Sequence, residues 1–181
     1  SPLKRISPSV RDSFMITIDS RILVSGNLVE DIVVRPVEEL RFGRTEWVDS
    51  IEHHLGGNGA STSYAIGILG GRVALVGSVG VDEAAARLLH RLSSVTVDVS
   101  GIVRSPAGTA TSVVLVHPDG ARALLHRLGA SREALSSPIP FSAFHARGFG
   151  HYHLANPFAL PRVRDCAAEF LGQAKASGMT T

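Results

Sequence analysis

The sequence predicts an α/β fold in which a mainly parallel sheet carries helices on both faces. Short apolar runs alternate with segments whose apolar residues recur every three to four positions, which is the alternation of strand and helix typical of parallel sheets. One segment departs from this order. Residues 109–128 form two β-prone runs around Pro118-Asp119-Gly120, which predicts a hairpin because glycine supplies the positive φ of such a turn.

The first elements follow from short patterns near the start. The run 21–26 is apolar and ends in glycine, and further β-prone stretches at 28–29 and 32–34 extend the strand region. A helix is predicted over 59–70, where apolar side chains recur at helical spacing and a glycine pair supplies the C-terminal stop.

The later elements repeat the alternation. Val73–Val79 is predicted as a buried strand, and Asp82 as the N-cap of a helix that runs to about Leu92. After the hairpin, residues 151–155 are expected to form a strand and residues 161–176 a helix. Gly178 has the position of that helix's C′ residue.

Composition indicates a globular protein. The chain has 181 residues, of which 44% are hydrophobic and 19% charged, and its apolar runs fall far short of the roughly 20 residues of a membrane span. The single cysteine, Cys166, has no partner for an internal disulfide, so we expect a reducing compartment and a cytoplasmic location. A net charge of +2 with scattered basic residues argues against nucleic-acid binding.

The two ends of the sequence differ from the rest. Residues 1–20 are interpreted as a polar leader, because they lack the continuous apolar core and cleavage pattern of a secretory signal. Residues 179–181 resemble the first step of a new strand. A parallel sheet that stopped there would leave an exposed edge and uncovered helix faces, so the fold is expected to be truncated at its C-terminus.

The stretch LGGNGAS, residues 55–61, is the first candidate site. Gly56 and Gly57 stand directly before the first predicted helix, whose N-terminus offers unpaired N–H groups and the positive end of the helix dipole. This arrangement suits an oxygen-rich ligand, although the glycines are equally explained by a tight turn. The sequence has neither the lysine of a P-loop nor the glycine spacing of a dinucleotide fingerprint.

Asp31 is the second candidate. It follows the first strand in GNLVED, where a carboxylate can accept hydrogen bonds from two hydroxyls at once, as carbohydrate-binding sites require. The alternative is a solvated acid at the end of a strand.

The order of these motifs resembles the N-terminal half of the ribokinase-like (PfkB) carbohydrate kinase family. The motifs are GNLVED, LGGNGAS, LVGSVGVDEAAARLLHRL, GTATSVVLVHPDGAR and LGAS, and the resemblance covers about residues 21–178. It implies a Rossmann-like α/β domain with a small β lid. The implied lid strands lie at about 33–37 and 46–52 and in the hairpin at 109–127.

The resemblance also implies a substrate site between lid and sheet. Family members bind a sugar with an aspartate, matched here by Asp31, and with a glycine pair, matched by Gly56 and Gly57. The matching substrate-binding set in this chain is Asp31, Gly56, Gly57, Ser61, Asn27 and Asn156.

Several positions depart from the family pattern. Ser61 stands where the family has asparagine, and a hydroxyl offers one donor where an amide offers two, so the identity of the sugar is open. Ala85 replaces a glycine and Ser131 an asparagine. The largest departure is the absence of the G-A-G-D motif, whose helix N–H groups bind the transferring phosphate and whose aspartate takes the hydroxyl proton.

The resemblance therefore implies a parent protein that is an ATP- and Mg²⁺-dependent kinase acting on a hydroxyl of a sugar or nucleoside. This chain would carry the acceptor-binding half without a catalytic residue, and would be inactive alone. A homodimer through the lid is a further expectation, because open β faces often pack against a partner.

Other functions fit the residues less completely. The replacements at Ser61, Ala85 and Ser131 leave open a non-catalytic carbohydrate-binding or regulatory protein on the same scaffold. A nicotinamide-dependent oxidoreductase fits only the α/β alternation. A metal site at His145, His151 and His153 lacks a carboxylate or cysteine at ligand spacing, so no metal ligand is assigned.

Overall fold

The computed structural model describes residues 21–181, and the predicted leader, residues 1–20, lies outside the described residues. The strands are β1 (Arg21–Ser25), β2 (Val29–Arg35), β3 (Ser50–Gly56), β4 (Val73–Val79), β5 (Asp98–Arg104), β6 (Ala110–Val116), β7 (Arg122–Arg127) and β8 (Phe149–Leu154). The α-helices are α1 (Asn58–Ile68), α2 (Glu83–Ser93), α3 (Phe141–Ala146) and α4 (Ala167–Ala176). Short 3-10 turns lie at Gly129–Glu133 and Pro157–Ala159.

The central sheet has the strand order β5-β4-β1-β8, and each neighbouring pair in it is parallel. Successive side chains of a strand point to opposite faces, so the fully buried Leu23 and Val24 of β1 enter two separate cores. Leu88 of α2 packs in the core that contains Val24, whereas Phe144 of α3 packs in the core that contains Leu23. Helices therefore lie on both faces, which confirms the predicted α/β class.

A second sheet, called the lid sheet below, has the strand order β3-β2-β6-β7. Strand β2 is antiparallel to β3 and parallel to β6, and β6 is antiparallel to β7. The sequence places the first two lid strands at about 33–37 and 46–52, whereas β2 and β3 pair from Val29 opposite Gly56 to Arg35 opposite Ser50. Strand β3 therefore ends at Gly56, the first residue of the glycine pair.

The hairpin predicted around Pro118-Asp119-Gly120 is present. Strands β6 and β7 flank it, and Gly120 has a φ of +89°. Asp119 accepts a hydrogen bond from the Ala121 N–H (2.8 Å), which closes the turn.

The last predicted helix is shorter than the sequence indicates. Its apolar spacing places the helix over 161–176, but residues 161–166 form turns and α4 begins at Ala167. Residues before Ala167 are held instead by a small core in which the fully buried Leu160 and Val163 pack with Ala134, and Phe170 of α4 packs against this core. Beyond α4, Gly178 has the positive φ expected of a C′ residue, and Thr180 forms a parallel bridge to His151.

Strand β5 has no counterpart in the sequence-based assignment. Its residues are half-buried or exposed at the edge of the central sheet, and they include only a few apolar side chains. Among residues 21–181, no helix combines the length and the apolar character that crossing a bilayer requires.

Candidate functional site

Asp31 and Gly56 lie against each other where the lid sheet meets α1. Gly56 is buried at the end of β3 and pairs with Val29 of β2. A Cβ built on Gly56 would lie 2.5 Å from Cγ of Asp31 and closer still to its Oδ2. The carboxylate therefore occupies the space that any larger residue at position 56 would need.

Gly57 precedes α1 and has a φ of +83°, which favours glycine. A Cβ on Gly57 would lie 2.5 Å from the carbonyl oxygen of Asn27, and one on Gly59 would lie 2.7 Å from the carbonyl carbon of Gly26. The first turn of α1 contains no acidic residue. The helix therefore begins from bare backbone packed on residues 26–27, with no carboxylate in that turn to offset its positive dipole end.

Three asparagines are connected at the carboxyl ends of neighbouring strands. Oδ1 of Asn27, which follows β1, accepts a hydrogen bond from the N–H of Asn58 (3.0 Å), the first residue of α1. The Asn58 side chain in turn accepts from Nδ2 of Asn156 (3.2 Å), which follows β8. Strands β1 and β8 are parallel neighbours, so their carboxyl ends meet at one edge of the central sheet.

Asn58 was not singled out by the sequence analysis. It links Asn27 to Asn156, although the latter two are far apart in sequence. The only feature of the local sequence that could have marked Asn58 as a site residue is its position directly after the glycine pair. Ser61 lies within the first turn of α1, where its N–H donates to the Gly57 carbonyl (2.8 Å) and its side chain is exposed.

Four polar side chains lie in register across one face of the lid sheet. Asp31 on β2 pairs with His54 on β3 and with Ser112 on β6, and Ser112 pairs with His126 on β7. Residues directly opposite each other on neighbouring strands share a face. We call this set, His54, Asp31, Ser112 and His126, the polar row.

Hydrogen bonds hold both ends of the polar row. Oγ of Ser112 lies 3.1 Å from Nδ1 of His126, and Nε2 of His54 lies 3.0 Å from Oε2 of Glu52. A hydrogen bond from Arg35 and a second from His54 hold the pKa of Glu52 below its usual value. Sequence analysis identified Asp31 alone in this row, because the register that aligns its neighbours depends on strands far apart in sequence.

Asp82 anchors the start of β6, and so the lid, to α2. Its carboxylate accepts hydrogen bonds from the Thr109 N–H (2.7 Å), from the Thr109 hydroxyl (2.6 Å) and from the Ala85 N–H (2.9 Å). The Thr109 hydroxyl also accepts from the Gly80 N–H (2.9 Å). Burial acts to raise the pKa of Asp82, but the bonds from Thr109 and Ala85 outweigh it and hold the pKa below its usual value.

Two histidines of β8, His151 and His153, lie near the end of the chain. Nδ1 of His151 lies 2.8 Å from Oγ1 of Thr180, and burial lowers the pKa of His153. In the part of the chain that the structure describes, no three His, Cys, Asp or Glu side chains are grouped to hold a metal ion. Ser131, which replaces the family's asparagine, has a buried hydroxyl without a hydrogen-bond partner among residues 21–181.

A family model for pfkB family carbohydrate kinases matches residues 20–178. The chain therefore belongs to the pfkB family of carbohydrate kinases. Motif order and fold agree with this assignment, as the resemblance implied.

Solved structures share the fold. The ribokinase of Cryptococcus neoformans var. grubii serotype A in complex with ADP has a TM-score of 0.67 and 24% identity, over 89% of this chain and 48% of that one. The Arabidopsis thaliana ribokinase complexed with ribose and ATP has a TM-score of 0.73 and 20% identity, over 88% and 51%. The Xylella fastidiosa fructokinase with bound ATP has a TM-score of 0.66 and 23% identity, over 88% and 48%. The chain spans about half the length of these structures.

Proposed function

We propose that the parent protein is a kinase that transfers a phosphoryl group from ATP to a hydroxyl of a sugar or nucleoside, and that this chain forms its acceptor-binding half. The observation that carries the proposal is the contact between the Asp31 carboxylate and Gly56 at the N-terminus of α1. Family membership and the fold shared with sugar kinases support it.

The groups around Asp31 and the start of α1 are suited to binding a polyhydroxylated acceptor. A carboxylate such as that of Asp31 can accept hydrogen bonds from two hydroxyls at once. The start of α1 carries the positive end of the helix dipole, and Gly56 and Gly57 add no side chain there, while Asn27 accepts from the N–H groups of Asn58 and Ala60. Hydroxyl hydrogens would thus face Asp31 while hydroxyl oxygens face the helix.

The asparagines and the polar row would complete the acceptor site from two sides. Asn156 and Asn27 would orient it from the carboxyl ends of the central strands, with Ser61 at the side of α1. Ser112 and His126, on the same lid face as Asp31, would contact the part of the acceptor nearest the lid.

We assign neither a nucleotide site nor a metal site to the described residues. Residues 21–181 offer no cluster of ligands for a metal ion, and the full sequence lacks the G-A-G-D motif. We therefore assign no catalytic residue here. The base and the nucleotide site would come from the half of the fold that the solved structures have beyond their match to this chain, and the 181-residue chain alone would be inactive.

We also propose that the lid mediates homodimer formation. The face of the lid sheet opposite the polar row carries Ile51 and Leu125, which are 61% and 63% exposed. Apolar side chains exposed on one sheet face favour burial against a second copy. Analytical ultracentrifugation of the parent protein tests this, with a concentration-independent monomer as the contrary result.

The function is tested by assaying the parent protein with ATP and a panel of sugars and nucleosides, following ADP formation. The proposal predicts acceptor-dependent ADP formation by the parent protein and none by the 181-residue chain. Sugar binding by calorimetry without ADP formation would instead support the alternative, a non-catalytic carbohydrate-binding protein. The departures from the family pattern at Ser61, Ala85 and Ser131 are the observation that favours this alternative.

A further inference from the structure

A cavity of about 410 Å³ lies between β3, α1 and α2. Successive residues of a strand point to opposite faces, so Glu30, which lines this cavity, lies on the other face of β2 from Asp31. The cavity is therefore on the Glu30 side of the lid sheet, and His54 is the one member of the polar row that also lines it. Its other polar and aromatic lining residues include Glu30, His53, Tyr64, Arg87, His90 and Arg91.

Glu30 holds two of the basic groups in place. It is only 4% exposed, and its Oε1 accepts a hydrogen bond from Nε of Arg87 (2.7 Å) and lies 3.2 Å from Nδ1 of His53. The hydrogen bond from Arg87 to Glu30 raises the pKa of the arginine. These contacts join α2 to the lid sheet. They hold Arg87 and His53 at one side of the cavity, where the carboxylate of Glu30 is the buried negative charge beside them.

Arg91 lies one turn beyond Arg87 on the same face of α2. Its guanidinium lies over the ring of Tyr64, with Cζ 5.3 Å from the ring centroid. Among residues 21–181 no carboxylate lies within salt-bridge distance of Arg91, whereas Arg87 has both Glu30 and Glu83. A guanidinium carries its N–H groups in a planar fork that can bind an oxyanion with two hydrogen bonds.

We propose that this cavity is a binding site for a small molecule that carries an oxyanion, either a phosphate or a carboxylate group. Arg91 is its main contact, and His90 and His53 line the same space. The volume falls within the usual range of small-molecule sites, roughly 300–1,000 Å³. The bound molecule would contact both β3 of the lid and α2 of the main fold, the two parts that Glu30 already connects.

Titration of the parent protein with inorganic phosphate and with citrate, at constant ionic strength in chloride and without ATP or sugar, tests the proposal. Calorimetry should detect binding of at least one probe, and Arg91→Ala should weaken it by about tenfold or more, since hydrogen bonds to charged groups are strong. Arg91→Lys, which keeps the charge but loses the planar fork, should restore part of the affinity. Arg164→Ala, on an exposed turn, is the matched control and should bind as the wild type does.

The position of the bound probe is read from the ring resonances of His53 and His90, which should shift on titration in the wild type. A phosphate preference identifies a phosphate ester as the ligand class, and a citrate preference identifies a carboxylate. Absence of binding by both probes overturns the proposal, as does binding that Arg91→Ala leaves unchanged. The proposed function has its own test, ADP formation by the parent protein, so either result here leaves that test unchanged.

Discussion

Gly56 and Gly57 are both constrained by their surroundings, but in different ways. The Asp31 carboxylate fills the volume that a Cβ at position 56 would occupy, so glycine is needed there for a reason of space and not of backbone angle. Gly57 differs, since its φ of +83° is itself unfavourable for other residues. Space therefore constrains position 56, whereas the backbone angle constrains position 57.

Gly56→Ala is expected to displace the Asp31 carboxylate, at a cost in stability below about 1 kcal/mol because the atoms it meets are the end of one rotatable side chain. Acceptor binding should fall with it. Thermal unfolding and calorimetric titration with the best acceptor measure the two effects. Gly172→Ala in α4 is the matched control, because a Cβ there meets nothing within 4 Å, and it should leave both quantities unchanged or raise stability slightly. An alanine at position 56 with wild-type acceptor binding would contradict the proposed role of the Asp31 carboxylate at this position.

Individual site residues differ in how far the sequence predicts them. Asp31 and the glycine pair can be found because each lies in a short motif whose chemistry is local. Ser112 and His126 cannot, because their place beside Asp31 depends on the pairing of β2 with β6 and of β6 with β7. Asn58 is likewise recognised only when β1, β8 and α1 are seen to converge.

Under the proposed function, the polar row would give the lid sheet a role in recognising the acceptor. Ser112→Ala should raise the KM for the acceptor by about 3- to 10-fold, as expected for one lost hydrogen bond, and should leave the KM for ATP unchanged. Steady-state kinetics of the parent protein measure both constants. Thr111→Val, a nearly isosteric change at the adjacent residue on the opposite face of β6, is the control. Equal effects of the two variants would show that the polar face of the lid has no special part in binding.

Asp82 connects the stability of the lid to pH. Its folded pKa is below the ordinary value, so its contribution is complete above the unfolded pKa and is lost as pH falls through the folded pKa. Asp82→Ala should cost about 2 kcal/mol near neutral pH, through loss of the N-cap and of the bonds to Thr109. The difference from wild type should shrink below about pH 4.

Urea unfolding at a series of pH values checks this dependence. Asp165→Ala removes a carboxylate that is 81% exposed, and should show no comparable loss. A difference between Asp82→Ala and wild type that stays constant into the acid range would mean that the charge of Asp82 contributes nothing to the anchor.

Secondary structure was predictable where local pattern and tertiary packing agree. Val73–Val79 is buried throughout and Asp82 caps α2, so both were read correctly from the sequence. The start of α4 was not, since Val163 continues the apolar spacing but packs in a separate core with Leu160. Strand β5 was missed because an edge strand with exposed residues lacks a strong apolar signal.

The molecule as a whole combines two sheets whose meeting point forms the candidate site. The central sheet contributes the carboxyl ends of β1 and β8, and the lid sheet contributes Asp31 and the polar row. Helix α1 begins where the two sheets meet. The fold class could be predicted from the alternation of elements, but the closeness of Asp31 to Gly56 required the pairing of β2 with β3.

We propose that the Asp31 carboxylate, held against Gly56, accepts hydrogen bonds from the hydroxyl groups of the acceptor. It is tested most directly by the acceptor KM of the parent protein with Asp31→Asn, which keeps the shape of the side chain but removes its charge, beside Asp165→Asn as control. We expect the Asp31 variant to raise the acceptor KM by about tenfold or more, with the KM for ATP and the melting temperature unchanged. An acceptor KM that stays at the wild-type value would contradict the account.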